Sequence, residues 1–170
     1  MEITILSLKE VQIYKPVHSA CLIRIFGNEA SYQEYAYLQG SFVKSAVHYF
    51  DDFDLYLEMQ QGEAHLKKII HTENPQIFHK NLALKIISEF DTWKKQESFT
   101  ELVVHCYVGA GRSPAVAIAL NDIFQLGYQA KDLIGRYPEY NKYIFDVMVL
   151  TGKDYFSELK DRHFSENKNP

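Results

Sequence analysis

His105-Cys106-Tyr107-Val108-Gly109-Ala110-Gly111-Arg112-Ser113-Pro114 is the stretch on which the reading of this chain turns. On its N-terminal side Glu101 to Cys106 (ELVVHC) is short, β-branched and apolar, the composition of a strand in the middle of a sheet. On its C-terminal side Pro114 to Leu126 is almost wholly apolar and long enough for a buried helix, with Gly127 placed to cap it. A strand that turns through glycines into a helix directs successive backbone N–H groups and a helix N-terminus toward one point. Gly109 and Gly111 keep such a turn free of bulk and open to backbone angles that a side chain opposes. Arg112 can set a planar fork against two oxygens of a bound anion. Cys106 opens the turn, where the helix end and the guanidinium both favour thiolate over thiol.

Working outward, three more strand-length runs occur in the first third: Ile3 to Leu8, Ala20 to Phe26 and Ser45 to Phe50. Gly27-Asn28-Glu29 is a turn, followed by a Tyr-rich connection to Gly40. Glu63 to His71 has helical spacing of Leu66, Ile69 and Ile70. Asn74-Pro75 then reads as the start of a helix that carries Phe78, Leu82, Ile86, Phe90 and Trp93 to about Gln96. A second helical pair is predicted over roughly 130–160. The expected architecture is α/β: a central mixed, largely parallel sheet of about four to five strands flanked by helices. Residues 1–160 are expected to form one domain and 161–170 a polar tail.

The formal charge of −4, from 18 basic and 22 acidic residues, gives no global attraction for nucleic acid or anionic membrane, so a phosphate ligand needs a local site. Two cysteines, Cys21 and Cys106, exclude a disulfide framework and point to a reducing compartment. Neither a signal peptide nor a membrane-spanning run is evident, which predicts a cytoplasmic protein. Cys21, inside an apolar strand, reads as inert packing. Inertness does not account for Cys106, because it leaves the glycines, Arg112 and Ser113 unexplained.

The segment resembles the signature loop of the protein tyrosine phosphatase superfamily, His-Cys, five residues, Arg, then Ser or Thr, and matches it at every position. A compact dual-specificity-like or bacterial-type member is the form it resembles. The resemblance implies that Cys106 attacks phosphorus to give a phosphocysteine that water hydrolyses. Arg112 and the backbone N–H groups of Tyr107, Val108, Gly109, Ala110 and Gly111 would bind the phosphoryl oxygens. Ser113 would stabilise the departing sulfur, and His105 would hold the loop. No metal or cofactor is implied, and the partner is a phosphoprotein substrate, phosphotyrosine or also phosphoserine/threonine.

Family members usually protonate the leaving oxygen from an aspartate some thirty to forty residues before the cysteine. Here that window, Leu66 to Gln76, holds no aspartate; Glu73 is the carboxylate in its later part. Asp51, Asp52 and Asp54 follow the third strand, with residues 55–73 as an apparent insertion. Asp52 is favoured as the acid, then Asp54, then Asp51. Asn141 resembles a site-lining asparagine in a shifted register, beside its simpler reading as a helix N-cap. Three other functions compete. A lipid or RNA phosphatase meets uncharged Tyr107, Val108 and Ala110 where inositol-lipid enzymes carry basic residues. A phospho-ligand binding module would be expected to lack Cys106 or Arg112. A low-molecular-weight phosphatase or related reductase has its loop near the N-terminus. Oligomeric state is not legible.

Overall fold

The computed structural model describes residues 1–166, with side chains through Asp161. Four strands, β1 (Glu2–Leu6), β2 (Ala20–Phe26), β3 (Lys44–Tyr49) and β4 (Glu101–His105), form one sheet in the order β1-β4-β2-β3. Every pairing is parallel, so the sheet is four-stranded and parallel rather than mixed. Parallel neighbours need crossovers, and helices lie in them: α1 (Leu8–Ile13) between β1 and β2, α2 (Glu29–Glu34) between β2 and β3, and α3 (Leu55–Gln60), α4 (Glu63–Glu73) and α5 (Lys80–Gln96) between β3 and β4. Three more helices, α6 (Arg112–Phe124), α7 (Ala130–Arg136) and α8 (Lys142–Glu166), follow the last strand.

The strand alternation sorts side chains onto two faces. Cys21, Ile23 and Ile25 of β2, Leu102 and Val104 of β4 and Cys106 just beyond it join the main core with Ile86, Phe90, Leu120 and Met148 from α5, α6 and α8. Ala20, Leu22 and Val103 turn the other way and bury Val11 of α1. All of residues 112–121 in α6 are buried, as a helix apolar on every side must be. The edges of the expected elements move. The β1 strand stops at Leu6 because Ser7 caps α1 and exchanges hydrogen bonds with Glu10 in a capping box. Asn74 ends α4 in the left-handed region at φ 45° rather than starting α5, whose cap is His79. Gln125, not Gly127, closes α6, at φ 52°. Helix α8 runs to Glu166, past the expected start of the tail at 161; residues 167–170 of that tail lie outside the described residues. Among the described residues no helix is long and apolar enough to cross a membrane.

Candidate active site

In an open parallel sheet the loops at the carboxyl ends of the strands form the crevice where ligands bind. The loop after β4, between β1 and β2, occupies that crevice. Residues 106–111 leave the strand and enter α6 with Gly111 as N-cap, so the positive end of a 13-residue helix faces the turn.

Cys106, 1% exposed, holds its sulfur inside this turn. The Gly109 N–H donates to Sγ at 3.2 Å and the Ser113 hydroxyl donates to it at 3.2 Å. Donors aimed at sulfur stabilise its anionic form. Gly109 has φ +88°, and a Cβ there would press on the backbone of Leu6 and Ser7, so this position requires glycine twice over. Gly111 has an ordinary negative φ. A Cβ at Gly111 would collide with the Asp52 carboxylate. Glycine therefore serves there to let an acid approach the loop, a reason different from the backbone freedom expected of it. The loop is tied at both ends: Leu8 N–H donates to the Tyr107 carbonyl, and Asn141 N–H to the Gly111 carbonyl.

Arg112 is buried, with Nη1 donating to the Phe50 carbonyl at 2.8 Å. Its Nε–H is buried with no protein acceptor among the described residues, and no carboxylate there pairs with the guanidinium. A buried cation without an anion is costly, and a bound anion would offset that cost. Tyr107 and Val108 are exposed and form the rim, while Gly109 and Ala110 are half-buried behind them.

The three aspartates after β3 separate in the structure. The segment is pinned by Phe50, fully buried and edge-on to Phe78 at 4.7 Å, and by buried Phe53. Asp51 accepts from the Gln76 N–H and belongs to the turn. Asp54 caps α3 through the N–H groups of Tyr56 and Leu57 and also accepts from the Lys142 N–H. Asp52, between them, is exposed, faces Gly111, and takes one hydrogen bond from Asn141 Nδ2 at 3.1 Å. Asn141 uses both ends of its side-chain amide. Its Oδ1 accepts from the Ile144 N–H as an N-cap, and its amide reaches the cleft. Asp52, Val108, Gly111, Pro138 and Asn141 line one open cleft.

Two neighbours went unnoticed in the sequence. Tyr35 joins Tyr107, Val108 and Leu8 around a second hollow on the other side of the loop. Arg24, 3% exposed, lies directly opposite His105 in the β2–β4 register and donates from Nε to His105 Nε2 at 3.2 Å. A lone arginine inside the run Cys21-Leu22-Ile23-Arg24-Ile25-Phe26 was the available signal. His105 is fully buried, with Nδ1 3.3 Å from the Cys106 carbonyl. Burial pushes the imidazole down to about 4, and Arg24 and Arg112 add to the effect by repelling the charged ring.

No protein-family model and no curated protein sequence matches the chain. Among solved structures it is similar to a human tyrosine phosphatase-like serine/threonine/tyrosine-interacting protein, at 16% identity and a TM-score of 0.41, over 83% of this chain and 78% of that one. It is also similar to Tk-PTP in its active form, at 9% identity and a TM-score of 0.41, over 90% of this chain and 92% of that one.

Proposed function

We propose that this protein is a cysteine-dependent phosphatase that hydrolyses phosphate monoesters on proteins through a phosphocysteine intermediate. The observation that carries the reading is the joint arrangement at the end of β4. A sulfur accepts hydrogen bonds from Gly109 and Ser113 at the head of α6, and the guanidinium of Arg112, the first residue of that helix, is buried with no carboxylate partner among the described residues. Such a turn is complementary to a thiolate and a phosphoryl dianion together.

In the first step the Cys106 sulfur bonds to phosphorus and the ester P–O bond breaks. The leaving oxygen takes a proton from Asp52. In the second step water attacks phosphorus, gives its proton to the Asp52 carboxylate, and the S–P bond breaks to release inorganic phosphate and thiolate. Arg112 and the loop N–H groups hold the equatorial oxygens through both steps, and the Ser113 hydroxyl stabilises the departing sulfur. Asp52 is assigned over Asp51 and Asp54 because those two are occupied in capping backbone N–H groups, whereas Asp52 faces the loop across Gly111.

The rim supports a protein substrate: Tyr107 and Val108 are exposed and uncharged, with Leu57 and Pro138 beside the cleft. A polyphosphorylated headgroup would call for several cations there. A reducing cytoplasmic setting suits a catalytic thiol. The test is a panel of phosphotyrosine, phosphoserine and phosphothreonine peptides assayed with wild type and Cys106→Ser. Wild type releases phosphate, and Cys106→Ser binds the same peptides without turnover. Binding by both with release by neither would instead establish a phospho-ligand binding module.

A further inference from the structure

We propose that Arg24 is a positioning residue for this reaction: it fixes His105 in one neutral tautomer, and His105 in turn fixes the peptide unit that follows the nucleophile. The inference deepens the phosphatase reading and rests on it.

Arg24 is an anomaly in its strand. It is buried, yet no carboxylate pairs with it among the described residues. All three of its nitrogens are used on neutral acceptors: Nε on His105 Nε2 at 3.2 Å, Nη1 on the Ala36 carbonyl at 3.0 Å, and Nη2 on the Tyr35 carbonyl at 2.7 Å. The rings of Phe26 and Tyr32 lie 5.3 and 5.2 Å from the guanidinium carbon. Cation–π contact and carbonyl dipoles offset the burial of the charge, and the whole group is held in place by α2 and the segment after it.

Arginine has donors only, so the imidazole nitrogen that meets it must present a lone pair. The proton of neutral His105 then resides on Nδ1, which faces the Cys106 carbonyl at 3.3 Å. The charged ring, which would place a second proton against Arg24, is excluded on the same ground, and burial works in the same direction. The peptide unit is planar and trans. A Cys106 carbonyl drawn back toward His105 therefore turns the Tyr107 N–H the opposite way, toward the anion side of the loop. Without Arg24, either nitrogen of His105 can carry the proton, and the Nε2–H form leaves the Cys106 carbonyl without its donor. The chain of contacts is Arg24, His105, Cys106 carbonyl, Tyr107 N–H; Arg24 itself touches no reacting atom.

Long-range proton–nitrogen NMR on the ¹⁵N-labelled full chain, with His105 assigned through His105→Gln, reads the tautomer directly. Wild type is expected to show neutral Nδ1–H at pH 7 and at pH 5.5. In Arg24→Met, Nε2–H or the charged ring gains population over that range, and kcat for an aryl phosphate falls roughly tenfold to a hundredfold with KM unchanged. An Nε2–H or charged ring in the wild type at pH 7 overturns the proposal with no variant required. A fall in kcat with the Nδ1–H signal intact in Arg24→Met also overturns it, since Arg24 would then act by latching Tyr35 and Ala36 alone. If wild type turns over no phosphate monoester, the phosphatase reading fails with Arg24's part in it. That failure is distinguishable because the NMR readout needs no activity.

Discussion

Cys21 and Cys106 share a face, a core and a degree of burial, and the groups that meet their sulfurs differ. Both belong to the same cluster of side chains, at 0% and 1% exposure. Cys21 lies within β2, paired with Leu102, and its thiol is surrounded by that core; burial pushes it up to about 11. Cys106 lies one residue beyond β4, where the backbone has left the ladder and its N–H groups are available. There the sulfur meets the Gly109 N–H and the Ser113 hydroxyl. Removal from water alone makes a sulfur inert, whereas donors directed at a buried sulfur suit a nucleophile, the part the proposed function gives to Cys106. The difference comes from strand position, not depth.

The comparison breaks most visibly when each sulfur is deleted. Cys106→Ala is expected to lower turnover of an aryl phosphate by at least about 10⁴-fold, while Cys21→Ala leaves kcat unchanged. Iodoacetamide at neutral pH is expected to modify Cys106 in the native protein and Cys21 only after denaturation, as peptide mapping would show. Comparable labelling of both in the native state would end the distinction drawn here.

The next largest effect falls on the cation. Arg112→Lys keeps the charge and loses the fork, and a loss of about 10²- to 10³-fold in kcat is expected. Phe50, whose carbonyl holds Nη1, links this arginine to the segment that carries Asp52. Turnover by Arg112→Lys near the wild-type rate would show that a point charge suffices. Asp52→Asn comes next: hydrolysis of an alkyl phosphate is expected to slow by about 10²-fold, while 4-nitrophenyl phosphate, with its good leaving group, is slowed far less. Asp54→Asn is expected to loosen the start of α3 with little effect on this leaving-group dependence. The opposite pattern would transfer the acid to Asp54.

How much of this was legible followed the physical source of each feature. Periodicity revealed β2, β4, α5 and α6, since long apolar patterns are repeated signals. The spacing of Cys106, Gly109, Gly111, Arg112 and Ser113 revealed the loop, because those five residues are local to one turn. Six-residue helices such as α1, α2 and α3 carry too few turns for a pattern, and each rests on a cap: Ser7, Asn28 and Asp54. The Ser7-Leu8-Lys9-Glu10 box was the one such signal open to a sequence reader. Asn74-Pro75 closes α4 rather than opening α5, because the same pair can do either; the proline bars α4 from continuing. Gly111 facing Asp52, and Arg24 opposite His105, depend on strand order. Nothing local in the sequence says that β2 borders β4 while β1 borders it on the other side.

The smallest effect concerns the residues beside the two cysteines, and it appears in stability rather than rate. Ala20 and Leu22 flank Cys21 and pack apolar on the α1 face, whereas His105 beside Cys106 turns an imidazole into that same interior. In the unfolded chain this ring titrates near 6.5, and in the folded one at about 4, chiefly from burial. The native state binds fewer protons between those values, so the contribution of the neutral ring is fully present above pH 6.5 and is lost as pH falls through 4. The shift corresponds to roughly 3 kcal/mol across that window. Carboxylates also titrate as the pH approaches 4, so the comparison is with His105→Gln, in which they remain. Urea denaturation at a series of pH values should show wild type losing more stability than His105→Gln between pH 7 and pH 4. The excess should begin near pH 6.5, before the carboxylates contribute. Parallel curves would mean that His105 is either protonated in the fold or reached by water, and that the environment behind Cys106 is wetter than the interior around Cys21.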